Sequence, residues 1–173
     1  MKKLWFLSFF VIPIFVFVLF TGCPSPTSSG GGGGGSGSFT YDGTTYPLTG
    51  AGVENFAWGF EVSIVSSGIN VPLWTGTGHI VWFDLTSPST QVAPGTYDWA
   101  FTGGFELWEA SISWNYVAET DTGTWLDADD LTRNSGDYIT ISVSGSTYTF
   151  EFSLTMTDGK TVTGSYTGPV TIW

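Results

Sequence analysis

The chain has 173 residues, 17% of them aromatic, and a formal net charge of -11. Once an apolar leader is set aside, its length suits one domain with a single buried core. Lys2 and Lys3 belong to that leader, which leaves Arg133 and Lys160 against fifteen acidic residues; such a surface repels phosphate backbones and anionic lipid headgroups and argues against nucleic acid and against membrane binding through charge.

The leader comes first. Met1, Lys2 and Lys3 form a short basic start, and residues 4–20 are apolar except for Ser8 and Pro13. This is the pattern of a secretory signal peptide. The apolar run lies at the lower limit for a transmembrane helix, and Pro13 would kink it. Cys23, the only cysteine, stands at the end of the run, so no disulfide can form within the chain.

The stretch Leu19-Phe20-Thr21-Gly22-Cys23 resembles a bacterial lipobox. The resemblance implies that residues 1–22 are cleaved and that Cys23 carries the lipid. With two or more acyl chains such an anchor is stable. Pro24, rather than Asp, follows Cys23, and by the same resemblance the outer membrane is the expected location. Residues 23–38 then form the lipidated cysteine and a tether rich in Gly, Ser and Pro. As a random coil the tether would reach about 20 Å.

Residues 39–173 read as a single β domain. Residues 39–46 predict a hairpin around Asp42-Gly43, and Pro47 confines its second arm to an edge. Residues 54–65 read as one strand, with Phe56, Trp58, Phe60, Val62 and Ile64 on the buried parity. Residues 79–86 are apolar on both faces. Residues 96–102 place Tyr97, Trp99 and Phe101 on one side. In residues 105–117, Trp108, Ala110, Ile112, Trp114 and Tyr116 alternate with Glu109, Ser111, Ser113 and Asn115. Residues 119–137 read as irregular. A meander of three strands follows, turning at Ser144-Gly145-Ser146 and at Asp158-Gly159, and residues 170–173 add a last short strand. About nine or ten strands at this spacing predict an all-β fold, an antiparallel β-sandwich with a C-terminal meander; a closed up-and-down barrel is the alternative. The hairpin of residues 39–48, the start Pro94-Gly95-Thr96-Tyr97 and the meander of residues 145–169 together resemble small lipid-anchored β-domain lipoproteins of Gram-negative bacteria. That resemblance implies location and fold, and no activity.

Groups for catalysis are sparse. The only histidine is His79, and the chain has no nucleophile elbow, metal-binding His/Cys spacing or phosphate loop. Glu106 and Glu109 would fall on opposite faces of a straight strand, which spoils them as a glycosidase pair, and Glu119 and Asp121 lie in an irregular stretch. The expectation is a non-enzyme without a cofactor. Asp127, Asp129 and Asp130 suggest a calcium site, but the third Asp comes one place early for an EF-hand loop. A short helical turn with Asp127 as its N-cap is the preferred reading.

The tryptophans are the better lead. All but one of the nine lie in the domain. Trp58, Trp99 and Trp114 sit on apolar parities and read as core. Trp74 and Trp125 fall in predicted loops, and Trp82 shares a strand face with Asp84, which makes these three the candidate ligand-binding residues. The expected function is a membrane-tethered domain with a structural or adhesive role. One alternative is a carbohydrate-binding module using these rings, and another is a carrier of small apolar ligands if the sheet closes around a cavity. The expected partners are the membrane, through the lipid, and a glycan or a protein.

Overall fold

A computed structural model describes residues 34–89, 91–128 and 134–173. The leader, Cys23 and most of the tether lie outside the described residues, as do Asp129 and Asp130. The described residues form β1 (Ser36–Tyr41), β2 (Thr44–Leu48), β3 (Gly50–Asn55), β4 (Phe60–Val65), β5 (Ile69–Asn70) and β6 (Thr75–Thr86). They continue with β7 (Gly95–Tyr97), β8 (Glu106–Val117), β9 (Thr122–Ala128), β10 (Tyr138–Ser144), β11 (Thr147–Thr155), β12 (Thr161–Gly168) and β13 (Thr171–Ile172). A 3-10 turn at Thr102–Gly104 is the one helical element among them.

Two sheets pack face to face as a β-sandwich. One runs β2-β1-β12-β11-β10-β7; the other runs β13-β3-β4-β6-β8-β9, with β5 paired to β6. The barrel alternative is thereby corrected: the sheets do not close on one another. The core lies between them because strand alternation gives each sheet one apolar face. Phe39, Phe150, Phe152, Leu154 and Val162 from the first sheet meet Phe60, Val62, Phe83, Leu85 and Ile112 from the second. Phe83 and Phe152 touch across the interface with ring centroids 5.3 Å apart.

The hairpins legible in the sequence are present. Asp42 and Gly43 both have positive φ, 48° and 75°, as a two-residue turn that follows the strand twist requires. The β10–β11–β12 meander holds Ile139, Ile141, Phe150, Phe152, Leu154 and Met156 inside. The two Asp-Gly turns meet: Lys160 Nζ lies 2.7 Å from Asp42 and 3.7 Å from Asp158, and the Tyr41 hydroxyl donates to Asp158.

Other expectations change. Residues 54–65 are two strands, because the chain turns at 56–59 with the Phe56 N–H donating to the Gly59 carbonyl. Trp58 therefore leaves the core; it is 47% exposed and stacks on Phe56 with the two planes 2° apart. The strand expected at residues 96–102 stops at Tyr97, and Phe101 is exposed in a left-handed conformation. The stretch expected to be irregular contains β9, so Asp127 is a strand residue opposite Ser111, not a helix cap. β1 starts at Ser36, so the last three residues expected in the tether pair with β12. A Cβ on Gly37 would come within 2.1 Å of the Ser165 carbonyl oxygen, so only glycine allows the strands to meet there.

Candidate functional site: an aromatic and acidic groove on the outer sheet face

The second sheet has an inner face filled by the core, and period-two alternation sends the intervening side chains outward. The register aligns these in rows. Gly52, Ser63, Trp82, Ser111 and Asp127 lie side by side across β3, β4, β6, β8 and β9. On one side of this row come Val65, Ile80, Ser113 and Trp125. On the other come Glu54, Glu61, Asp84 and Glu109, each opposite the next.

The apolar end of this face is roofed. The chain after β4 folds back through β5, and Val65, Ile69, Val71, Ile80, Tyr116 and Ala118 close a second small core with Trp74 and Trp82 packed against it. Two polar ties hold the roof down. The Gly76 N–H donates to Glu119 Oε1 at 2.9 Å, and the Ala118 N–H donates to the Gly76 carbonyl at 2.9 Å. Between the roof, the β8–β9 hairpin and the C-terminal Trp173 lies an open groove of about 880 Å³, within the size range of small-ligand sites.

Tyr116 reaches the groove through a backbone irregularity. Strict alternation would put Trp114 and Tyr116 on one face. Asn115 instead adopts a positive φ of 53°, and the β8–β9 register shifts between Trp114 and Val117. Such a bulge re-aims one side chain: Trp114 packs against the main core, whereas Tyr116 joins the outer cluster. Its hydroxyl donates to Asp121 Oδ1 at 2.9 Å. Burial, with Asp121 next, pushes the Tyr116 phenol up to about 12, so it remains a donor at any ordinary pH. A second bulge lies in β8, where Leu107 and Glu109 face the consecutive residues Leu85 and Asp84 of β6. It brings Glu106, opposite Thr86, and Glu109, opposite Asp84, to the same outer face. The expectation of opposite faces held only for a straight strand.

The aromatic wall is edge-to-face. Trp74 lies 6.3 Å from both Tyr116 and Trp173, and Tyr116 lies 5.3 Å from Trp125, with planes 60–76° apart. Trp125 and Trp173 keep 37% and 47% of their surface exposed. Trp74 itself has a φ of 51°, an unfavourable conformation for a bulky residue that the surrounding packing must sustain. Gly52 makes room for Trp173: a Cβ there would lie 2.4 Å from the indole.

The electrostatics are one-sided. Glu54, Glu61, Glu109, Glu119, Asp121 and Asp127 line the groove, and no described Lys or Arg does. Burial, then the neighbouring charges Glu61 and Glu109, raise Asp84 from the usual carboxylate range to about 7. Its Oδ1 is buried without a hydrogen-bond partner. Glu61 is also raised, first by burial, with Glu54, Asp121 and Glu109 adding to it and a hydrogen bond from the Trp82 indole opposing.

Trp74, Trp82 and Trp125, three residues far apart in sequence, thus line one groove. Asp127 lies on its rim, and no three acidic or histidine side chains among the described residues converge as a metal site would require. Trp99 is half-buried and donates its indole N–H to the buried Asp137 at 3.0 Å. His79 lies elsewhere, its ring edge-on to Tyr46 at 4.9 Å, with its pKa lowered by burial. Sequence reasoning missed Tyr116, Trp173 and the carboxylate row. The row's only sequence signal is an acid at an outward position in each of four strands, and it becomes visible once the register is known. Comparisons with protein-family models, with curated proteins and with solved structures find no match for the chain.

Proposed function

We propose that the domain is a carbohydrate-binding module, carried by a lipid on Cys23 at the outer membrane and acting as an adhesive rather than a catalytic element. The observation that carries this reading is the convergence of Trp74, Trp82 and Trp125, with Tyr116 and Trp173, on one open groove. Sugar rings present apolar C–H faces that stack on such rings, and hydroxyls that donate to carboxylates and Ser oxygens. The buried Ser63 and Ser111 beside Trp82 and the acidic row supply those acceptors. A carrier of apolar ligands would want an enclosed apolar cavity, whereas this groove is open and acidic on one side.

The test is a glycan array probed with the full chain in detergent micelles, followed by titration of the best ligand. Binding that weakens tenfold or more in Trp125→Ala, about 1.4 kcal/mol, supports the reading. An array without signal, or a ligand whose affinity ignores Trp125, would overturn it.

A further inference from the structure

We infer that the groove selects saccharides bearing free amines, such as chains of unacetylated hexosamine, over neutral or acidic ones; this inference rests on the glycan-binding reading. Glu54 faces Glu61, Glu61 faces Asp84, and Asp84 faces Glu109 on four adjacent strands. Like charges directly opposite one another destabilise a sheet. This sheet sets three acid–acid pairs in line on an outer face, and no described Lys or Arg lines the groove to offset them. Lys160 is engaged by Asp42 and Asp158 at the hairpin turns. Glu54, Glu61 and Glu109 line the groove with no described cation beside them, while Asp84, half-buried between Glu61 and Glu109, keeps its proton up to about pH 7. The row is therefore an acidic strip at the edge of an aromatic floor in which a proton stands where a counter-ion would.

A positively charged ligand relieves that repulsion, and its form follows from the geometry. The carboxylates repeat at the strand spacing of about 4.8 Å, of the order of one pyranose ring. They form a line and do not converge on a point. A row of ammonium groups on successive rings of a chain laid across the strands matches a line better than one metal ion does. Trp82, two residues from Asp84 on the same strand face and lining the groove, sets an indole beside the row, and indoles attract cations. Aromatic wall and acidic strip together select a ligand that is flat and apolar on one aspect and cationic on its edge.

The experiment titrates the full chain at pH 6 in EDTA with glucosamine oligomers, N-acetylglucosamine oligomers and glucose oligomers of equal length. Glucosamine oligomers bind at least tenfold tighter, and raising NaCl from 50 to 500 mM erodes that preference at least threefold while the neutral ligands barely respond. In Glu61→Gln/Glu109→Gln the preference falls to within threefold. The salt series on the unaltered chain decides the matter if that variant fails to fold. Neutral oligomers binding as tightly as the amine-bearing ones would overturn the inference and leave the glycan reading standing. A preference that appears only when calcium replaces EDTA would overturn direct amine pairing. No binding of any of the three oligomers would overturn this inference, and the glycan array would then decide the glycan reading by itself.

Discussion

Asn115 is the residue on which the groove depends most locally. A non-glycine residue at positive φ loses roughly 1–2 kcal/mol relative to glycine, and Asn tolerates the conformation better than most. Asn115→Gly should leave stability within about 0.5 kcal/mol of the parent, whereas Asn115→Val should lower it by about 1–3 kcal/mol in urea unfolding. Asn115→Val should also blunt ligand binding, because a relaxed backbone turns Tyr116 away from Asp121. Asp84 gives a pH signature. Its folded value, about 7, exceeds the ordinary 3.8. Between those values the folded chain holds a proton that the unfolded chain has released, so stability falls as pH rises through that window. Glu61 and Glu109 face it from the flanking strands, and Glu54 lies beyond Glu61. Asp84→Asn removes the penalty: it should raise Tm by about 3–6 °C at pH 8, reflecting roughly 1–1.5 kcal/mol after allowing for partial exposure, and change it little at pH 4. Single residues of this kind were only partly legible. The candidate rings Trp74, Trp82 and Trp125 stood out because large aromatics at turns and beside an acid lack a ready place in the core. Asn115 did not stand out, since a bulge is fixed by pairing with two neighbouring strands and alternation within one strand cannot register it.

At the scale of elements, hairpins and alternation carried most of the information. The Asp42-Gly43 turn was readable because a two-residue turn demands positive φ at both residues, and the Asp158-Gly159 turn because its longer loop closes through one positive φ, 80° at Gly159. The meander was readable because each of its strands buries one parity. Reading strand by strand failed where a strand breaks or slips. Residues 54–65 kept their alternation through a turn, which concealed the break between β3 and β4 and put Trp58 wrongly in the core. β9 lacks a strong apolar parity, since its outward side chains face the groove, and it was read as irregular for that reason. The parallel pairing of β13 with β3 is long-range and leaves no local trace, yet it brings Trp173 over Gly52. Gly52→Ala tests that joint. The added methyl collides with both Trp173 and Val71, so stability should fall by about 1–3 kcal/mol, and Trp173 should become more exposed to an aqueous fluorescence quencher. Unchanged stability and quenching would mean that Trp173 does not seat on the sheet.

For the molecule as a whole, the sandwich separates two tasks. The space between the sheets is spent on a conventional apolar core, and the outer face of one sheet is left to carry the aromatic groove. The groove is invisible to composition, because its acids look like part of a generally acidic surface. Only the register shows that Glu54, Glu61, Asp84, Glu109 and Asp127 share one sheet face with Trp82 and Trp125. Among the described residues no helix is long and apolar enough to cross a membrane, and the anchoring proposal rests on Cys23. Cys23→Ser should release the protein from the membrane fraction in detergent-free washes; persistence there would contradict lipid attachment. The central claim is that Trp74, Trp82, Trp125 and Trp173 form the sugar-contacting surface. The most direct measurement follows the indole N–H signals of the tryptophans by NMR while a bound oligosaccharide is titrated in. These four signals should move in proportion to saturation, while those of Trp58, Trp99 and Trp114, which lie outside the groove, should hold still. Shifts concentrated on Trp58 or Trp99, with the groove indoles unmoved, would contradict the account.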